Sequence, residues 1–143
     1  MDERLSILVK MFSTAFGAVT GYFFGGWSLL MHLLLILVAV DWFTGWIAAW
    51  SSGELMSRRG FYGIARKVAI FLMVTVAHFI DLVLGNLKYF QNAVIFFYLA
   101  NELLSIIENA GRMGLPIPKV FQRAIEILNS KSQEEENTHH EQN

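Results

Sequence analysis

Residues 27–50 read WSLLMHLLLILVAVDWFTGWIAAW, 24 residues that are almost wholly apolar yet carry one acid in the run Asp41-Trp42-Phe43-Thr44-Gly45. A helix rises about 1.5 Å per residue, so the stretch reaches about 36 Å and crosses a hydrocarbon core of about 30 Å. Trp27 at one end, and Trp46 and Trp50 at the other, mark the two membrane interfaces. An ionised Asp at such depth costs at least ~2.5 kcal/mol on insertion scales, so Asp41 is expected to face other helices, a backbone donor or water rather than lipid. A residue that costly calls for a partner.

The rest of the composition agrees with a membrane chain. At 143 residues the length suits one domain, and 55% apolar against 16% charged residues is too apolar for a soluble domain of that size. A cleavable signal peptide would explain only one of the apolar stretches. The first lacks the short apolar core and small-residue cleavage site of such a peptide, so no targeting segment is expected to be removed. The absence of cysteine excludes disulfides, thiolate metal sites and thiol nucleophiles. The net charge of -1 hides an asymmetry: residues 129–143 set Lys131 against Glu134, Glu135, Glu136 and Glu141, leaving a basic body at 1–128.

Apolar segments are expected at about 5–24, 27–50, 68–84 and 92–107, giving an all-α membrane protein with three or four spans. The count depends on whether the first segment crosses the membrane or lies on its surface. In that segment Ser13, Gly17 and Gly21, with Gly25 just beyond, recur every four residues and form a stripe where another backbone can approach, within one chain or between chains. The connection 51–67 carries Arg58, Arg59, Arg66 and Lys67 against Glu54 alone, which places it in the cytoplasm. The turns at Gly25-Gly26 and at 85–91 then lie outside, and the C-terminus lies inside. Gly111, Gly114 and Pro116-Ile117-Pro118 end the fourth helix. Val120, Phe121, Ala124, Ile125 and Leu128 share one face, so 119–128 reads as a short helix on the cytoplasmic membrane surface, followed by a disordered acidic tail at 129–143.

Catalysis finds no foothold here. His139 and His140 sit in the tail, while His32 and His78 lie in separate spans without metal-ligand spacing. There is no glycine-rich phosphate loop and no Ser/His/acid pattern in a recognisable setting. No enzyme activity, cofactor, metal or nucleic-acid partner is expected. His32, alone among leucines, reads as a packing residue. His78 and Asp81, three apart on one helical face, read as a local hydrogen-bonded group at the outer interface or as a titrating pair. On the fourth helix, Glu102, Ser105 and Asn109 form one polar strip and Asn101, Ser105 and Glu108 an adjoining one. Depth suggests an ion pair between Glu108 and Arg66 or Lys67; the alternative is that these groups line water once chains assemble.

Asp41-x-x-Thr44-Gly45, Gly63-x-x-Arg66-Lys67, Asp81, Asn101-Glu102-x-x-Ser105-Ile106-x-Glu108-Asn109 and Gly114-x-Pro116-Ile117-Pro118 occur in that order across about 27–128. Together they resemble the toxin-secretion and phage-lysis holin family. The resemblance implies a small protein of the bacterial cytoplasmic membrane, encoded by a phage or prophage. Such a protein accumulates with itself and lipid as partners, then assembles into lesions that release an endolysin or a toxin. On that reading Asp41, Thr44 and Gly45 join the small residues of the first helix in fixing helix contacts. Arg66, Lys67, His78, Asp81, Asn101, Glu102, Ser105, Glu108 and Asn109 form ion pairs or face the lumen. The acidic tail departs from the basic tail common in holins, and four apolar segments depart from the three spans often drawn. Met11 could serve as a second start yielding a shorter partner. Two other classes compete: a small proton-coupled four-helix exporter, which would need a carboxylate that residues 11–26 lack, and a membrane anchor that never permeabilises.

Overall fold

The computed structural model describes residues 2–54, 57–85 and 87–141, without the side chains of 57–59 and 139–141. Five helices account for nearly all of it: α1 (Glu3–Phe24), α2 (Leu29–Ser51), α3 (Ser57–Leu84), α4 (Tyr89–Arg112) and α5 (Lys119–Glu141). α1, α2, α4 and the Gly60–Leu84 part of α3 are each long and apolar enough to cross a membrane, which makes four candidate spans among the described residues, the first segment included. The side chains of Arg58 and Arg59, expected to help orient the chain, lie outside the described residues, as do those of His139 and His140.

α4 is the hub. It packs against α2, α3 and α5, whereas α2 and α3 make little direct contact with each other. Met31, Leu34 and Val38 from α2 meet Ile70 and Val74 from α3 and Ile95 and Leu99 from α4 in one buried cluster. Because lipid tails are as apolar as these side chains, such a cluster holds helices together by close packing rather than by escape from water. The outward faces match: Leu29, Val83, Phe12 and Phe61 stand exposed where acyl chains would cover them.

The turns follow local chemistry. Gly25, at φ 68°, ends α1 in the left-handed conformation and donates its N–H to Gly21 O at 2.9 Å. Ser28 then opens α2, its hydroxyl accepting the Met31 N–H at 3.2 Å. His32 bonds back to Ser28 O at 3.0 Å and stacks edge-on against Trp27, a packing role. A Cβ added at Gly25 would fall 2.4 Å from His78 Cε1, so backbone and neighbour both demand glycine. Gly25→Ala is expected to lower stability by about 2 kcal/mol, read as a reduced unfolding midpoint in detergent by circular dichroism. His78→Ala in the same chain should restore only the steric part; full restoration would contradict the backbone argument.

Three boundaries differ from the sequence reading. α3 starts at Ser57, well before the expected 68, and α4 runs to Arg112, past the expected 107. Much of the expected basic loop is therefore the first turns of a helix. The short surface helix and disordered tail are replaced by one helix, α5, that turns back along α4. Its polar half gains tertiary support that composition does not reveal: Ser132, buried, donates to Ala93 O at 2.7 Å, and Leu128 packs onto the central cluster. Lys131 and Glu134 pair at 2.9 Å one turn apart, and that carboxylate holds the Lys131 ammonium above its ordinary pKa. Burial raises the Glu135 carboxyl above its usual range.

Candidate functional site: a charged cleft between three helices

Asp41, Lys67 and Glu102 lie at one level of the bundle. Each stands ten residues from one end of its helix, at Ser51, Ser57 and Arg112 respectively, or about 15 Å along the axis. The Lys67 ammonium donates to Asp41 Oδ2 and to Glu102 Oε2, joining α2, α3 and α4 through one cation. Glu102 is 0% exposed, Asp41 12% and Lys67 13%. Two carboxylates share one ammonium, and Glu102 Oε1 has no hydrogen-bond partner among the described residues. Such an orphan acceptor is uncommon in a folded interior.

Asn109 completes the Asp41 side. Its Nδ2 donates to Asp41 Oδ1 at 3.0 Å and to Thr44 Oγ1 at 3.2 Å, while the Thr44 hydroxyl donates to Asp41 O at 3.1 Å. Gly45 lies beside it: a Cβ there would sit at an ordinary contact distance, 3.5 Å from Asn109 Nδ2. Asp41 and Thr44 of α2 thus both meet Asn109 of α4. The expected Glu108 ion pair is not formed: Lys67 turns to Asp41 and Glu102, and Glu108 has no ion pair among the described residues. The earlier start of α3 accounts for this, since it moves Lys67 from the membrane edge to the depth of Glu102.

Above this floor, α2 and α3 diverge and leave a cleft of about 840 Å³. Trp42, Trp46, Phe61 and Ile64 give it apolar walls; Arg66, Ser105, Glu108 and Arg112 give it a polar rim. Arg112 reaches Glu54 at 3.4 Å across the mouth. Asn101 lies half-buried on α4 with no side-chain hydrogen bond among the described residues. No cluster of three or more metal-ligating residues occurs among the described residues.

His78 and Asp81 part company at the opposite end. Asp81, 2% exposed, accepts the Phe90 N–H at 3.0 Å on Oδ1 and the Gln91 N–H at 2.8 Å on Oδ2, so a side chain of α3 caps the start of α4. Gln91, which the sequence did not single out, donates from Nε2 to Phe24 O at 2.7 Å and ties α1 to α4. Gln91 is buried three residues after Lys88, whose backbone is left-handed, and neither fact is legible in the sequence. His78, 3% exposed, packs under Gly25 with Nδ1 unpartnered among the described residues. Ser13, Gly17 and Gly21 meet nothing: Ser13 is exposed, and no atom lies within 4 Å of a Cβ placed at either glycine.

The comparisons with known proteins point one way. Residues 18–130 match the sequence model of the bacteriophage holin family. An uncharacterised protein of Listeria innocua is 47% identical over 135 residues, covering 94% of this chain and 96% of its own. An uncharacterised 14.9 kDa protein of Clostridium perfringens is 33% identical over 130 residues, covering 90% and 98%. A probable holin of Bacillus phage phi105 is 39% identical over 109 residues, covering 76% of this chain and 80% of the phage protein. No solved structure matches. With four apolar helices and a family match over most of its length, the chain belongs to the bacteriophage holin family, multi-pass proteins of the inner membrane.

Proposed function

We propose that this chain accumulates in the cytoplasmic membrane, self-associates, and opens lesions through which a cytoplasmic endolysin reaches peptidoglycan. The observation that carries this reading is the Asp41–Lys67–Glu102 group: three helices long and apolar enough to cross a membrane each hold a costly polar side chain, and the three side chains meet. In one closed chain these groups can satisfy only one another; in an assembly that admits water they gain a second, hydrated partner. Two stable arrangements of the same side chains suit a protein that waits and then switches. The C-terminus is assigned to the cytoplasm. On that assignment α5 cannot stay along α4 in the bilayer, because carrying Lys131, Glu134, Glu135 and Glu136 to the level of Ala93 costs at least ~2.5 kcal/mol for each charge left facing lipid. α5 then rests on the cytoplasmic surface by its apolar face, freeing a flank of α4 for other chains.

The test is co-induction with a cytoplasmic peptidoglycan hydrolase. Culture turbidity should fall abruptly after a delay, with loss of membrane potential, while either protein alone leaves turbidity unbroken. Continued growth with both proteins confirmed in their compartments would overturn the reading.

A further inference from the structure

The cleft between α2 and α3 holds charges that do not all pair within the chain. Of its three cations, Lys67 is held by Asp41 and Glu102, and Arg112 reaches Glu54 across the mouth. The third, Arg66 of α3, is exposed and makes no ion pair among the described residues. Glu108 of α4 lines the same cleft, is exposed, and makes none either. The lining as a whole is balanced, with Arg66, Lys67 and Arg112 against Asp41, Glu54 and Glu108. An occupant that serves both unpaired groups therefore brings one anion, one cation and no net charge.

The two groups also stand in a definite order of depth. The Lys67–Glu102 contact puts those two residues at one level. Arg66, one residue nearer the start of α3, is about 1.5 Å closer to the mouth, and Glu108, six residues further along α4, about 9 Å closer. The Arg66 backbone thus lies about 7.5 Å deeper than that of Glu108. A phospholipid head has the same sequence along the bilayer normal when its amine is outermost: acyl chains, then phosphate, then ammonium. Apolar surface for the chains is present, because Trp46 and Phe61 are exposed on the cleft walls. The volume of about 840 Å³ lies in the range of about 300–1,000 Å³ usual for sites that hold small organic ligands.

We propose that the cleft seats the head and upper acyl chain of one zwitterionic phospholipid of the phosphatidylethanolamine type, drawn from the leaflet at the cleft mouth. Its phosphodiester takes the Arg66 guanidinium, whose planar fork matches two phosphate oxygens. Its ammonium donates to the Glu108 carboxylate, and an acyl chain lies along Trp46 and Phe61. An anionic lipid satisfies Arg66 but sets a further negative charge against Glu108. A quaternary amine brings the cation but no N–H to donate. The site requires only that these helices stand in a bilayer, and it holds whether or not the chains go on to open lesions.

Native mass spectrometry of the full chain released from detergent micelles reads the retained lipid directly. The chain is offered equal amounts of phosphatidylethanolamine, phosphatidylcholine and phosphatidylglycerol with identical acyl chains. One phosphatidylethanolamine per chain is expected, retained about tenfold over phosphatidylglycerol and to a lesser degree over phosphatidylcholine. Arg66→Gln should weaken retention of all three about tenfold. Glu108→Gln should bring phosphatidylethanolamine down to the level of phosphatidylcholine, itself unchanged, and Glu108→Lys should turn the preference to phosphatidylglycerol. Circular dichroism checks that each variant is folded, and the preference of the unaltered chain needs no variant at all. Equal retention of phosphatidylethanolamine and phosphatidylglycerol, a preference unmoved by Arg66→Gln in a folded chain, or a lipid-free dimer with the cleft taken by a second copy would each overturn the proposal. So would displacement of the lipid by an equal concentration of glycerophosphoethanolamine, the same head without its acyl chains.

Discussion

Lys67→Met should remove most of the folded chain from the membrane. It strips the ammonium from two carboxylates that α2 and α4 hold at the same depth, and breaking a buried ionic group by removing one partner costs about 3–5 kcal/mol. The unfolding midpoint in detergent, followed by the fluorescence of Trp42 and Trp46 on the adjoining cleft wall, should fall steeply, and the chain should become protease-sensitive in membranes. The sharing of one ammonium by two carboxylates makes the pattern across variants specific. Asp41→Asn or Glu102→Gln leaves one carboxylate facing one ammonium, a balanced pair, so each should cost far less than Lys67→Met. With all three substitutions combined no charge remains, and stability should return most of the way towards that of the native chain. If Lys67→Met proved as mild as Glu102→Gln, the cation would not be what holds the three helices together.

At the opposite end of the bundle, the largest effect is expected from Asp81→Ala. Its carboxylate accepts two backbone N–H groups from the first turn of α4, and hydrogen bonds to a charged group are worth about 1.5–3 kcal/mol each. Their loss leaves two donors unsatisfied beside a buried Gln91, for a combined cost of about 3–4 kcal/mol. Asp81→Asn keeps one side-chain acceptor and should recover about half. Hydrogen exchange offers a local reading: the amides of Phe90 and Gln91 should lose protection in Asp81→Ala while the middle of α2 does not. Uniform loss of protection along the chain would instead mean that Asp81 matters only to global stability.

The span pattern was legible because hydropathy over about 20 residues is a physical requirement of a bilayer and leaves little freedom in reading it. That Asp41 must have partners was legible for the same reason, and Glu102 and Asn109 stood out on a polar strip of the fourth helix, whereas Lys67 read as part of the basic connection. Their pairing was not legible. It depends on helix starts, and charged turns such as those before Lys67 read as loop in composition although they continue a helix. A shift of three turns at the start of α3 exchanges Glu108 for Glu102 as the partner at matching depth. The three-residue spacing of His78 and Asp81 suggested a common role, yet spacing cannot report that Gly25 and the α4 amides, brought from elsewhere in the chain, offer each residue a separate contact. The α5 tail shows the reverse effect: a polar, low-complexity stretch becomes helical where Ser132 finds a backbone acceptor on α4.

Charge exchange across the buried group examines its architecture most directly. Lys67→Glu alone places three carboxylates together, and Glu102→Lys alone places two ammoniums against one carboxylate; each should abolish folded accumulation and timed lysis. Combined in one chain they rebuild one ammonium between two carboxylates, with the cation now on α4, and both accumulation and lysis should return. A double exchange no better than the worse single exchange would show that these side chains do not meet inside the membrane.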